Sequence, residues 1–239
     1  MLRQMGGVQP YNYSNARNVY AFEDFGFGNI PVVQLRRDND GVFQDFTALE
    51  IANGDDITWA GGNIATAKII YDHIGNNDAI ATGNGYKFIE NNQHFISYGK
   101  PALSSEGGQY YDTSLSNSKY SQFYATFNSS NDLSTVLRFS GAVVLRSKSY
   151  TQATFTDIDF SNTQGLFSVD FINVAGYLNG VDETGSVTTM RDTFNRQWLL
   201  SDSSILFSNY VVYDFSFDNS SDRTLIEADI NNKYNNLIF

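Results

Sequence analysis

The chain reads as an all-β protein, an antiparallel β-sandwich with a short C-terminal helix, and three observations predict it. Short apolar runs rich in Phe, Tyr, Val and Ile recur between clusters of Asn, Asp, Gly and Ser, the punctuation of strands joined by turns. Aromatic residues supply 15% of the chain and are mostly Phe and Tyr, which suit a pleated, half-buried surface. Helical spacing is confined to residues 220–239, with one further short candidate from Thr47 to Ile51.

Taken in order, residues 1–15 hold two adjacent glycines, a proline and several polar side chains, and are expected to form an extended arm. No Pro- or Ser-rich linker divides the rest of the chain, so residues 16–239 are read as one domain. Strands are expected over residues 30–36, where Pro31 suits a strand start, and over 67–72. Further strands are expected over 122–127, 135–139, 142–146, 153–160, 166–172, 175–178 and 211–217. Asn179-Gly180 is the strongest hairpin signal, because both residues tolerate the positive φ that a tight turn demands. In the closing helix Ser221 or Asp222 can cap, and Leu225, Ile226, Ile230, Tyr234 and Leu237 recur on one side. A lone helix of that length does not hold in water, so it must dock on the sandwich.

Composition narrows function by exclusion. The formal net charge of −11 and pI near 4.4 argue against binding nucleic acid or an anionic membrane. With no cysteine, disulfides and thiolate metal sites are excluded, leaving Asp, Glu and two histidines for any metal. No apolar run resembles a signal peptide, and none approaches membrane-spanning length. If the protein acts outside a cell, assembly into a particle released by lysis is one route by which it gets there.

Three segments carry a family resemblance. Residues 35–46 (Leu35-Arg36-Arg37-Asp38-Asn39-Asp40-Gly41-Val42-Phe43-Gln44-Asp45-Phe46), residues 70–79 around Tyr71-Asp72-His73, and residues 223–239 from Arg223-Thr224-Leu225 to Phe239 occur in that order. Together they resemble segments of bacteriophage virion structural proteins of the fibre and head or tail appendage type. The resemblance covers most of residues 16–239. It implies a concanavalin A-like, or laminin-G-like, jelly roll, with a more distant similarity to the catalytic domain of α-L-arabinofuranosidases. It also implies a virion component in contact with carbohydrate.

The residues themselves favour structural roles in these segments. Arg36 and Arg37 at a strand end can grip Asp45 or Asp72 with a bidentate fork and so tie loops together. Asp38-Asn39-Asp40-Gly41 and Gly75-Asn76-Asn77-Asp78 read as polar turns. A glycosidase needs two carboxyl groups facing across a cleft. Glu50, Asp55, Asp56, Glu90 and Glu106 are candidates by type alone, and none sits in a motif matching the arabinofuranosidase acid or nucleophile. Solvated loop acids are the plainer reading.

Asp38, Asp40, Asp55 and Asp56 offer oxygen ligands for calcium, but the spacing lacks the terminal Glu of an EF-hand loop. His73 and His94 are far apart in sequence, and no serine is marked as activated. Gly61-Gly62 and Gly83-Asn84-Gly85 lack the lysine and following helix of a phosphate loop. Trp59, Trp198, Tyr110 and Tyr111 are candidate aromatic platforms for sugar, with core or rim packing the plainer reading.

The expectation is a non-enzymatic bacteriophage virion surface protein that presents a glycan-binding sandwich for host attachment. Catalytic residues, metal ligands and cofactors are expected to be none, and the ligand-binding residues stay unassigned. Expected partners are other virion proteins, copies of the chain in a homo-oligomer, and host or environmental glycans. Two alternatives stay open: a glycoside hydrolase of arabinofuranosidase-like ancestry, and a capsid decoration protein that binds no sugar.

Overall fold

The computed structural model describes residues 11–75, 77–104, 111–113, 122–129, 135–139, 142–146, 164–170, 175–182, 197–199, 205–213 and 220–234. Its strands are β1 (Asn18–Ala21), β2 (Pro31–Arg37), β3 (Phe43–Thr47), β4 (Ala65–Ile70), β5 (Ala79–Ala81), β6 (Tyr86–Glu90), β7 (Gln93–Ser97), β8 (Lys100–Ser104) and β9 (Tyr111–Asp112). They continue with β10 (Gln122–Ser129), β11 (Thr135–Phe139), β12 (Ala142–Arg146), β13 (Gln164–Asp170), β14 (Ala175–Leu178), β15 (Val181–Asp182), β16 (Gln197–Leu199) and β17 (Ile205–Tyr213). The helices are α1 (Ala48–Asn53), α2 (Asp55–Ala60) and α3 (Ser220–Lys233).

All described pairings are antiparallel. One layer runs β15-β14-β13-β10-β17, and the far edge of β17 is shared by β1 and β8. The other begins β3-β2-β4, after which β4 divides its edge between β5 and β6. Beyond β5 lie β9, β16, β11 and β12. Beyond β6 lies β8, paired also with β7. Strand β8 therefore carries hydrogen bonding from one layer into the other.

The fold is thus the expected all-β sandwich with a short C-terminal helix. Its core between the layers includes Val33, Leu35, Phe46, Ile70, Phe88, Ile89, Leu103 and Phe207, each almost fully buried. A second cluster joins Val19, Ala21, Leu166 and Val211 to Ile226, Ile230 and Tyr234 of α3. Strand β1 is buried on both sides: Tyr20 enters the first cluster while Val19 and Ala21 enter the second. That double burial explains its uninterrupted apolar reading, Val19-Tyr20-Ala21-Phe22, where period-two alternation offers no signal.

Several elements depart from expectation. The helix begins at Ser220, so Ser221 and Asp222 lie inside its first turn and not at the N-cap position. Leu225 is 54% exposed, whereas Ile226, Ile230 and Tyr234 at four-residue spacing are buried; the buried stripe is set one position along from Leu225. Buried Glu227 accounts for the polar residues on that stripe: Arg223 and the Ser168 hydroxyl donate to it at 2.7–2.8 Å. Of the strand expected over 211–217, residues 211–213 form the end of β17, Ile205–Tyr213, and 214–217 lie outside the described residues. Strand β4 stops at Ile70 because Asp72 leaves the ladder to hold a loop.

The short helix near Thr47 is present as α1, closed by a capping box in which the Thr47 hydroxyl and Glu50 satisfy each other's backbone N–H. The Asn179-Gly180 turn is also present, with φ of 52° and 77°, joining β14 to β15. Of the residues expected in an arm, Tyr13 lies in a 3-10 turn (Tyr13–Asn15), is buried, and donates its hydroxyl to Asp229 of α3 at 2.8 Å. The strand expected over 153–160 lies outside the described residues.

Candidate functional site

The segment between β1 and β2 builds one wall of a cleft, and strand register decides what faces it. Pro31 pairs with Thr47, so the loop entering β2 and the helix leaving β3 emerge at the same end of the sheet. The loop contributes Glu23, Asp24, Gly28 and Asn29; α1 contributes Ala48, Leu49 and Ala52. They enclose about 310 Å³, the lower end of the range for small-ligand pockets. One wall is polar and acidic, and the other is wholly apolar. Leu49 is 60% exposed, an apolar surface held open beside hydrogen-bonding groups.

Each polar group in the cleft is held by its own local structure. Asp24 Oδ1 accepts the Gly26 N–H at 2.6 Å, an Asx turn that continues through Gly26 at φ 90°. Glu23 Oε2 receives Lys100 Nζ at 2.9 Å. Lys100 is delivered by the tight β7–β8 turn, where Tyr98 and Gly99 have φ of 49° and 74°. Beneath the loop, Lys233 of α3 donates to the Asp24 carbonyl at 3.0 Å and lies 4.8 Å from the Phe25 ring centre. The C-terminal helix therefore supports the loop from below. No motif had pointed to Glu23, Asp24, Asn29 or Lys100, which converge only through strand register.

Two of the three segments that carried the family resemblance, residues 70–79 and the helix from Arg223 onward, tie down residues 13–25. Asp72, 3% exposed, accepts from Asn18 Nδ2 at 2.7 Å and from the Val19, Ile74 and Asn77 N–H groups at 2.9, 3.2 and 3.3 Å. His73, also buried, donates Nε2–H to the Ala21 carbonyl at 3.0 Å. Burial lowers its pKa, opposed by that bond and by Asp72 and Asp24. Phe25 and Phe27 set their rings against His73 edge-to-face.

The expected arginine partners are corrected. Arg37 grips Asp40 through Nε and Nη2 at 2.6–3.1 Å, and Arg36 lies 3.7 Å from Asp38; neither reaches Asp45 or Asp72. Register is the reason: Gln34 sits opposite Asp45, so the Gln34 amide and the Tyr71 hydroxyl take that carboxylate. Asp40 returns to Arg37 through the turn at Gly41, whose φ is 72°.

The candidate acids separate by environment. Glu50 is committed to the α1 capping box, and Glu90 receives Lys87 at 2.9 Å. Asp55 is exposed in the first turn of α2. Asp56 is fully buried, with Oδ2 2.6 Å from His94 Nε2, a pair that ties α2 to the β6–β7 hairpin and that sequence spacing concealed. No described serine hydroxyl bonds to His94. Glu106 lies outside the described residues. Asp38, Asp40, Asp55 and Asp56 do not converge; among the described residues no three His, Cys, Asp or Glu side chains gather to hold a metal.

Two of the aromatic candidates follow the plainer reading of core or rim packing. Tyr111 is fully buried, with its hydroxyl donating to the Ala67 carbonyl and accepting the Tyr86 N–H. Trp59 is half-buried, edge-on to Phe46, with the Arg37 guanidinium 5.0 Å from its ring centre. Both rings are consumed by packing. Tyr110 and the side chain of Trp198 lie outside what the structure describes.

Comparison with known proteins places the fold and nothing finer. No family model matches the chain, and no curated protein matches it. Two solved structures are similar. One is a GH54 α-L-arabinofuranosidase soaked with a cyclic sulfate inhibitor, with 12% identity, a TM-score of 0.55 and 93% of this chain covered. The other is a mutant of a GH54 α-L-arabinofuranosidase soaked with 4-nitrophenyl α-L-arabinofuranoside, with 10% identity, a TM-score of 0.56 and the same coverage. The chain spans 62% of the length of each. At this identity the likeness is one of fold: the chain shares the sandwich of these enzymes.

Proposed function

We propose that this chain is a non-enzymatic bacteriophage virion surface protein whose sandwich presents the cleft at Glu23, Asp24, Asn29 and Leu49 to a host or environmental glycan. The virion setting is supported by the ordered resemblance of residues 35–46, 70–79 and 223–239. The observation that carries the binding reading is the division of the cleft into an acidic, amide-bearing wall and an apolar one. A sugar ring has the same division, with hydroxyls at its rim and C–H groups on its faces. Carboxylates and amides bond the first, and Leu49 packs against the second.

Glycoside hydrolysis is the second reading, favoured by the shared sandwich of the arabinofuranosidases. The geometry of the cleft speaks against it there. Hydrolysis needs two carboxyl groups on opposite sides of the scissile bond. Glu23 and Asp24 are chain neighbours on one loop, and α1 brings only Ala48, Leu49 and Ala52.

The test is a glycan array probed with the purified chain and with Ala52→Trp, whose indole fills the cleft from the exposed side of α1. Hits that vanish in Ala52→Trp support the proposal. Hits that are indifferent to that substitution move binding elsewhere, and turnover of aryl glycosides by the purified chain overturns the non-enzymatic reading.

A further inference from the structure

We propose that the cleft selects sugars bearing a free amine, such as glucosamine units, over their N-acetylated or acidic counterparts. The inference rests on the glycan reading above and adds the charge of the ligand. Two carboxylates line the cleft, and two lysines approach its loop. Lys100 is spent on Glu23 at 2.9 Å. Lys233 is spent beneath the loop, on the Asp24 carbonyl at 3.0 Å and beside the Asp229 carboxylate at 3.8 Å. Each lysine is thus matched by a carboxylate of its own, and the charge of Asp24 is left over.

Asp24 is exposed, and its carboxylate holds the Gly26 N–H through one oxygen. The other oxygen has no described protein partner. A ligand ammonium placed in the cleft meets that oxygen as a charge-assisted acceptor, and the Asn29 amide is available to flanking hydroxyls. An N-acetyl group removes the positive charge, and a uronic or sialic acid carboxylate is repelled. The net charge of −11 acts in the same direction at longer range, drawing cationic sugars toward the surface and turning anionic ones away.

The experiment titrates the full chain with chitotriose, whose three units carry amines, and with its fully N-acetylated form at low salt. The same pair is then titrated into Asp24→Asn. Asparagine keeps an oxygen for the Gly26 N–H, so the turn is preserved and only the charge is removed. The expected result is about fivefold tighter binding of chitotriose, the upper end for a solvent-screened ion pair, with the preference lost in Asp24→Asn. Equal affinities in the unsubstituted chain, or a preference that survives Asp24→Asn, overturn the charge inference and leave glycan binding standing. Binding of spermidine as tight as chitotriose overturns it too, because the cleft then reads amines without sugar. Failure of both oligosaccharides, and of every glycan on the array, overturns the glycan reading itself.

Discussion

Asp72 is the residue whose removal tests the architecture most directly, because one carboxylate holds a strand and a loop together. Its oxygens accept from Asn18 Nδ2 at 2.7 Å and from the Val19 N–H at 2.9 Å, both on residues with 0% exposure. Asp72→Ala leaves those two donors buried without partners. At about 1–3 kcal/mol for each stranded donor, the loss is about 2–6 kcal/mol. The longer bonds from Ile74 and Asn77 lie in the adjoining loop and add less. Ordinary domains are stable by about 5–15 kcal/mol, so much of the margin goes. For a chain of this size the melting temperature falls by about 2–4 °C per kcal/mol, or about 10 °C in all.

Urea unfolding followed by circular dichroism measures the change, with the slope checked to confirm that the same surface is exposed. Asp72→Asn, which keeps one acceptor oxygen and the side-chain volume, is expected to lose about half as much. It also supplies a measurement should the alanine variant fail to fold. A loss below about 1 kcal/mol in Asp72→Ala, the net worth of one ordinary hydrogen bond, would refute the account of Asp72 as the tie between β1 and the loop after β4.

Two further outcomes concern buried groups. His73 has a lowered pKa in the folded chain because burial disfavours its charged form. Below its ordinary value near 6.5 the unfolded chain therefore binds a proton that the folded chain refuses. Stability is retained above that value and declines as pH falls from about 6.5 toward the lowered folded value. His73→Gln should flatten this part of the stability–pH profile in denaturant titrations, and an unchanged slope would contradict the assignment. Glu227 is buried and bonded by Arg223 and Ser168; Glu227→Ala leaves the Arg223 charge poorly compensated and should cost about 3–5 kcal/mol. Hydrogen exchange should then show α3 losing protection before the sandwich does, whereas simultaneous loss everywhere would show that α3 is no separable element.

Much of this molecule was legible in its residues because the signals were local. The Asn-Gly pair needs only its own positive φ to form a turn at Asn179-Gly180, and Thr47 with Glu50 needs only one helical turn to close a capping box. Strands such as Thr135–Phe139 and Ala142–Arg146 were bounded by their own composition. Strand β1 was not legible, because a strand buried on both sides loses the alternation that announces it. Nor were the arginine partners: Gln34, rather than either arginine, stands opposite Asp45, and a shift of one residue exchanges which side chains meet.

The sequence alone determined the class of fold, the closing helix that must dock on it, and the net negative charge. It also established which chemistries lack their residues, thiolate metal binding first among them. Only the tertiary structure brought Glu23 and Asp24 onto one wall of a cleft, set Leu49 on the other, and placed Lys100 and Lys233 where each is matched by an acid. The reason is one of range. Turns and helix caps are decided by residues within a few positions of one another, whereas a site is assembled by strand register and helix packing between segments as far apart as Asp24 and Lys233, which no local pattern encodes.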